Sequence, residues 1–376
     1  MAGVRGNKHK IHSPDILFLI SLGIIIFFGL IVLIPSSFVE GCSFGDCFFY
    51  VRHQIIFGLI PGLFLFWVLF FLDYHWLKRI SLLFFLISLV LVAMVFIPYF
   101  GLGFQGSRRW INFFGIVFQP SEILKLSSII YLSAWLESKK NYEKYSKKIW
   151  LDYFFPFIFI LGIISFLLIK QPDLSTLVII LCSLVLIYFL ANSPWRIFFV
   201  IVGLLGIFLL LWVNFSPYRF NRLLAFLYPE IDPQGAGYHS REALSAIASG
   251  GLFGKGLSHI SSLRLPEVLS DSTFALACQG LGFIGAFLII FFYFLVFWRG
   301  HFIARHAPDR FGYLLANGIC FCFVIETLIN LGAILRLLPL TGTPLPLMSY
   351  GGTSMIVFLS AFGILANISR QTVESD

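Results

Sequence analysis

The chain has 376 residues, 59% of them hydrophobic and only 12% charged, with a mean hydropathy of +0.93. A soluble domain is about 45–50% apolar and about 25% charged, so the composition excludes a water-soluble enzyme and implies a polytopic membrane protein. The formal net charge of +8 fits basic residues that flank membrane helices and face anionic lipid, and no nucleic-acid partner is expected.

The first apolar run, Ile16 to Ile34, is long enough to span a bilayer, and no small-residue cleavage site follows it. It reads as a retained first helix and not a signal peptide. A short polar loop, "GCSFGDC", then holds Cys42 and Cys47. Facing an oxidising compartment, these two would be able to form a local disulfide; without further ligands the spacing is no zinc pattern. Further apolar runs fall at 54–72, 80–98, 121–137, 151–169, 174–191, 195–214, 273–298, 312–335 and 349–368. The expected fold is therefore all-α, with ten transmembrane helices and both termini on one side. The 121–137 run is the least apolar and carries Glu122 and Lys125. Cys182, Cys278, Cys320 and Cys322 lie inside apolar runs and read as inert packing residues.

Lys and Arg counts set the orientation. Fifteen fall on the N-terminal side, including Lys78, Arg79, the "KKNYEKYSKK" run, Arg299, Arg305, Arg310 and Arg370. The short loops opposite hold five: Arg52, Arg108, Arg109, Lys170 and Arg336. The N-terminus is thus expected to be cytoplasmic. The whole chain, 1–376, reads as one membrane domain, with cytoplasmic tails at 1–15 and 369–376 and a large outside loop at 215–272 between helices 7 and 8. The middle of that loop, "REALSAIASGGLFGKGL", suggests a short amphipathic helix on or dipping into the outer face, followed by a flexible turn.

Several constellations on the outer side carry charge in a chain that has little. In "GSRRWINFFGIVFQPSEILK", Arg108 and Arg109 precede a piece too short to span, Ser121 suits an N-cap, Glu122 an early helical position, and Lys125 lies within the fourth helix near its outer end. A cation there is a functional candidate by default, on the same face as the two arginines, with snorkelling as the bland alternative. Asp173 in "KQPDLST" suits a helix cap, and "SPYRFNR" places Arg219 and Arg222 at i, i+3. Together with Lys255, such outer cations suit a pyrophosphate, because arginine forks bind phosphate oxygens bidentately. Glu326 and Arg336 are ten residues apart, about 15 Å along a helix, so each needs a partner elsewhere or a water-filled cavity. "LPLTGTPLPLMSYGGTS", with Ser349, Gly351 and Gly352, mixes prolines and glycines in a way tolerated near membrane depth only when buried in protein or lining a cavity. In "RLPEVLSDSTF", Glu267 and Asp271 stand where a polar loop enters the eighth helix. Ser270 capping that helix, with Asp271 in its first turn, explains one carboxylate; catalysis or ligand binding would explain both.

These stretches, with "SPYRFNRLLAFLYPEIDPQGAGYHSREALSAIASGGLFGKGL", "GLGFIGA" and the closing "LANISR", together resemble the SEDS (shape, elongation, division, sporulation) family, in order from about residue 100 to 370. "YRFNRLLAFLYPEIDPQGAGY" and "GILANISR" are closer to the division branch, FtsW, than to the elongation branch, RodA. The resemblance implies a peptidoglycan glycosyltransferase in the bacterial plasma (inner) membrane, acting at the division septum. It would polymerise lipid II on the outer face, alongside a class B penicillin-binding transpeptidase and other division or elongation proteins. The family's catalytic aspartate falls on Asp271 and its motif glutamate on Glu267. Asp271 would be the general base of an inverting transfer, with Arg108, Arg109, Lys125, Arg219, Arg222 and Lys255 stabilising the departing pyrophosphate. A divalent cation, Mg2+ or Mn2+, would be carried by the pyrophosphate; no protein metal cage is visible.

The chain departs from the family pattern around that aspartate. Leu269 and Ser270 replace its His and Thr, Ser272 replaces its Phe, and Gln279-Gly280 stand in place of an acidic pair. His239 and Arg241-Glu242 replace a Gln and a Gln-Ser pair. Two other readings stay open: a flippase for lipid-linked precursors, which needs a polar path through the bilayer, and a non-catalytic scaffold that recruits the transpeptidase.

Overall fold

The computed structural model describes residues 12–42, 45–104, 107–113, 115–139, 154–191, 199–203, 206, 226, 228, 236–258 and 270–371. The described elements, in chain order, begin with helices α1 (Ile16–Gly41), α2 (Phe49–Gln54), α3 (Ile60–Phe71) and α4 (His75–Met94). Three strands follow, β1 (Gly101–Phe104), β2 (Ser107–Phe113) and β3 (Ile116–Phe118). Helices α5 (Pro120–Ser138), α6 (Phe155–Lys170), α7 (Leu174–Leu190), α8 (Ala236–Ser249), α9 (Thr273–Arg305), α10 (Arg310–Ile334) and α11 (Gly352–Ser369) complete the order. α2 runs into α3 through a π-helical turn, Ile55–Leu59, so the second span begins at residue 49 and not 54. Among the described residues, six helical spans are long and apolar enough to cross a membrane, and α6 and α7 are shorter apolar helices. The fold is that of a polytopic, predominantly helical membrane protein. Most of the predicted 195–214 helix lies outside the described residues, of which 199–203 are helical.

The helix starts follow from local chemistry. Asp15 accepts the Phe18 N–H at 2.9 Å and opens α1, Asp309 accepts the Gly312 N–H at 3.1 Å and opens α10, and prolines stand at the starts of α5 and α6. The central helices are α10 and α11: 67% and 83% of their spans are enclosed by the rest of the chain, against 28% for α2–α3 and for α4, which leave their aromatics to lipid. α11 crosses α3 at contact distance. A Cβ on Gly363 would come 2.9 Å from the Phe66 Cα, so only glycine admits this approach. Cys278, Cys320 and Cys322 are buried as packing residues, whereas Cys182 is exposed on α7.

Three findings differ from the sequence reading. The aromatic piece before α5 is an antiparallel three-stranded sheet in the order β1-β2-β3, with Ile111 opposite both Gly101 and Phe118. Arg108 pairs with Gly103 and Trp110 with Leu102, so Arg109 is the extra residue of a β-bulge and the regular alternation of faces is broken at the two arginines. The glycine-rich turn after α8 is not loose: its backbone is hydrogen-bonded to α9. And α9 is not one straight helix, because at Gly282 the backbone leaves helical geometry with φ 72° and ψ −169°.

The ends of the described chain meet. The His12 N–H donates to the Arg370 carbonyl at 2.8 Å, and Arg299 at the far end of α9 reaches the Asp15 carboxylate at 2.5 and 2.9 Å. The opposite end gathers the sheet, the starts of α5, α7 and α9, and the 335–351 loop. There Cys42 and Cys47 form a disulfide.

Candidate active site

The mouth at this second end is built from three helix starts and one irregular loop. Asp173 opens α7, accepting from the Thr176 N–H at 3.5 Å. Its other oxygen takes hydrogen bonds from Ser121 at 3.0 Å and Gln119 at 3.1 Å, so one carboxylate ties α7 to α5. The Gln119 N–H donates to Thr353 on α11 at 3.2 Å. Ser175 donates to the Thr341 carbonyl at 2.5 Å, and the Thr341 and Thr343 hydroxyls lie 3.0 Å apart. Ser349 accepts the Leu345 N–H at 2.9 Å and donates to Thr273 at 3.0 Å. Gly351 donates its N–H to Gln54 at 3.0 Å, and Gly352 lies against the backbone of Gly58. The Pro/Gly-rich loop is buried in protein from Leu345 to Ser349, as irregular backbone at this depth must be, whereas Leu338 and Gly342 are exposed.

Asp271 stands at the lip of this mouth. The N-cap of α9 is Ser272 and not Ser270, so Asp271 precedes the helix instead of occupying its first turn. Ser272 makes no capping bond; its hydroxyl lies 3.0 Å from Nε2 of His239 on α8. The Asp271 carbonyl accepts from Asn330 on α10 at 3.3 Å, and Asn330 also donates to the Thr343 carbonyl at 2.7 Å. The backbone of Asp271 is thus fixed to α10 and to the loop at once. Gly342 faces the carboxylate: with φ +70° it adopts a conformation that favours glycine, and a Cβ there would stand 3.5 Å from Asp271 Oδ2. Asp271 is half-buried.

Below the mouth lies a closed ionic cluster. Lys125 Nζ is 2.5 Å from Glu326 and 2.8 Å from Glu122, and 5.2 Å from the centre of the Phe358 ring. Lys125 is 2% exposed, Glu122 4% and Glu326 0%. This corrects one expectation and meets another, that Glu326 and Arg336 each find a partner elsewhere. Lys125 does not stand with the arginines at the outer end, because two carboxylates hold it in the interior and meet its charge. Glu326 finds its partner on α5, whereas Arg336 leaves the end of α10 with φ 56° and donates to the Phe226 carbonyl at 3.3 Å.

The remaining predicted cations separate. Arg108 is exposed on β2. Arg109 donates to the Pro172 carbonyl in the turn before α7. Lys255 is exposed, with its N–H on the Gln279 carbonyl at 2.9 Å. Arg219, Arg222 and Glu267 lie outside the described residues. Among the described residues no three His, Cys, Asp or Glu side chains converge as ligands for a metal ion. Gln119, Thr273, Asn330, Thr341 and Thr343 belong to the site although the sequence reading gave them no role in it, and His239, noted there only as a departure from the family pattern, joins them. Asn330 had a signal: it lies four residues after Glu326 on an apolar helix, hence on the same face.

The model of the FtsW, RodA and SpoVE family, described as cell cycle protein, matches residues 15–374. The chain belongs to this family. Stage V sporulation protein E of Bacillus subtilis is 36% identical to it over 366 residues, covering 95% of this chain and 97% of that one. A probable peptidoglycan glycosyltransferase FtsW of Trichlorobacter lovleyi is 33% identical, covering 98% and 96%. Among solved structures, a chain of a peptidoglycan synthase complex, studied for its coordination of polymerization and crosslinking, superposes with a TM-score of 0.78 at 27% identity over 95% of this chain and 98% of that one. The rod shape determining protein RodA of Thermus thermophilus shares the fold, with a TM-score of 0.70 at 24% identity over 96% and 99%. These likenesses cover nearly the whole FtsW/RodA/SpoVE-type chain, sheet and mouth included.

Proposed function

We propose that the chain is a peptidoglycan glycosyltransferase that polymerises lipid II at the outer face of the bacterial plasma (inner) membrane, with both termini cytoplasmic, and that it serves septal synthesis during cell division. The observation that carries the mechanism is the placement of Asp271. The carboxylate stands at the lip of α9 with its backbone fixed by Asn330 and open space kept beside it by Gly342. Substrates held by lipid tails present their sugars at that level.

Asp271 is the general base: it takes the proton from the acceptor's 4-hydroxyl as that oxygen attacks C1 of the donor sugar. The C1–oxygen bond to undecaprenyl pyrophosphate breaks with inversion, and the pyrophosphate leaves carrying its own negative charge. Exposed cations stabilise that charge. Arg108 lies on the sheet at the mouth. Lys255 is exposed, with its backbone on the Gln279 carbonyl within the first stretch of α9, which supports it as a second candidate. Arg219, Arg222 and Glu267 remain candidates from the sequence. A divalent cation, Mg2+ or Mn2+, would enter bound to the pyrophosphate, and no step is routed through it. A class B penicillin-binding transpeptidase, with other division or elongation proteins, is the partner this reading requires; the likeness to a chain of a peptidoglycan synthase complex supports it.

The flippase reading needs a polar path across the bilayer. Glu122, Lys125 and Glu326 instead form a closed, buried cluster, which favours the glycosyltransferase. The test is polymerisation of fluorescent lipid II by the chain with its cognate transpeptidase, comparing wild type with Asp271→Asn. Glycan ladders from wild type only are expected. An intact complex that makes no ladders in either form would sink the reading in favour of transport or scaffolding.

A further inference from the structure

Asp271 is carried on a short arm. The first stretch of α9, Thr273 to Leu281, ends at the break at Gly282. A break within a membrane span frees backbone N–H and C=O groups that hydrocarbon cannot satisfy. Residues 250–256 satisfy them. The N–H groups of Lys255 and Gly256 donate to the carbonyls of Gln279 and Gly280 at 2.9 and 3.1 Å. The N–H groups of Phe283 and Ile284 donate to the carbonyls of Gly251 and Leu252 at 2.9 and 3.2 Å.

The contact is backbone against backbone and leaves no space for side chains. A Cβ on Gly254 would overlap the Gly280 carbonyl, and one on Gly282 would overlap the Gly254 N–H; both residues also have φ in the left-handed region, +82° and +72°. At the other end of the arm, His239 of α8 meets Ser272 at 3.0 Å. One unit, α8 with its turn, therefore grips the arm at top and bottom. Leu252 and Phe253, 63% and 80% exposed, project from the turn beside Phe283, itself 64% exposed on a membrane span. Their apolar side chains seat the turn in lipid.

We infer that the glycine-rich turn and the break it fills form a clamp that positions Asp271, with Gly254 and Gly282 as positioning residues. The inference rests on the glycosyltransferase reading. Its lever is geometric: the arm is about 13 Å long, so a tilt of about 5° moves the carboxylate by about 1 Å. A misplacement of about 1 Å costs on the order of 100-fold in rate.

The test uses the full chain with its cognate transpeptidase and lipid II. Gly254→Ala and Gly282→Ala are expected to lower kcat at least about tenfold, with KM within about twofold and the complex intact. Gly251→Ala is the control: it shares a positive φ of +59° but has nothing within 4 Å of the added carbon, so it should keep most of the activity. A second measurement does not depend on how these variants fold. Leu252→Cys with Ile284→Cys pairs two exposed, hydrogen-bonded neighbours. Oxidation should cross-link them in membranes and leave polymerisation largely unchanged. Failure to cross-link, loss of activity on cross-linking, or wild-type kcat in both glycine variants would overturn the clamp. If Asp271→Asn still abolishes ladders while the glycine variants keep them, the clamp falls and the glycosyltransferase stands. If wild type makes no ladders, both fall.

Discussion

Replacing Lys125 by methionine should destabilise the protein more than any single change to its carboxylate partners. In the wild type one ammonium lies between two carboxylates at 2.5 and 2.8 Å, all three nearly inaccessible, for a formal charge of −1. Lys125→Met leaves two buried carboxylates and a formal charge of −2. At an effective dielectric of about 20, each contact is worth about 6 kcal/mol gross. Desolvation of the ions takes back much of this, and removal of one member of a buried pair typically costs about 3–5 kcal/mol net. Glu326→Gln changes the balance the other way, from −1 to 0, and should cost less. The triple change Lys125→Met, Glu122→Gln, Glu326→Gln removes every charge and should recover most of the loss, because replacing a whole buried ionic group is often close to neutral. The assay is thermal unfolding in detergent, followed by tryptophan fluorescence, with a Tm drop on the order of 5–10 °C for the single variant. A folded Lys125→Met protein with Tm within about 1 °C of wild type would refute the argument. So would a triple variant no more stable than the single.

Two further outcomes are expected. Gly342→Ala should lower polymerisation about tenfold at a stability cost of about 1–2 kcal/mol, because the new carbon strains a φ of +70° and stands 3.5 Å from Asp271 Oδ2; wild-type kcat would show that the space beside the carboxylate is not used. At the other end of the bundle, burial raises the Asp73 carboxyl, but hydrogen bonds from the backbone and ring of His75, with its nearby charge, outweigh this and hold it below the usual carboxylate range. A depressed carboxylate stabilises the fold above its ordinary pKa and loses that contribution as pH falls through the lowered value. Asp73→Asn should therefore lower Tm at pH 7 and converge with wild type in acid, and an equal deficit at both pH values would count against the assignment.

Much of the helical plan was legible because hydropathy reports each span locally. Asp173 as a helix cap was legible for the same reason. The Lys125–Glu326 pair was not, since it joins residues 201 positions apart and no periodicity says which two helices touch. The sequence did show that each of these charges needed a partner, because an unpaired charge in a bilayer is costly. The sheet was hidden by its length: strands of four, seven and three residues are too short for alternation to stand out in an aromatic-rich stretch. The break in α9 was hidden for a different reason. "GLGFIGA" reads as an apolar helix with tolerated glycines, and only the arrival of Gly250–Gly256 from another part of the chain turns Gly282 into a backbone junction.

Charge and glycine thus divide the labour in this membrane domain. Glu122, Lys125 and Glu326 pair inside the bundle, where the lysine's charge is met within 3 Å and all three side chains are buried away from the mouth. The polar groups left at the mouth are held by neutral hydrogen bonds instead, Asn330 to the Asp271 and Thr343 carbonyls and Ser349 to Thr273. These fix the backbone on which the carboxylate is carried. Glycine does the complementary work by keeping side chains out, at Gly342 next to Asp271 and at Gly254 and Gly282 where the arm is gripped. A base that must take a proton at a membrane surface needs a backbone that does not move. Two departures from the family pattern meet at this helix start, since His239 and Ser272, both replacements, lie 3.0 Å apart.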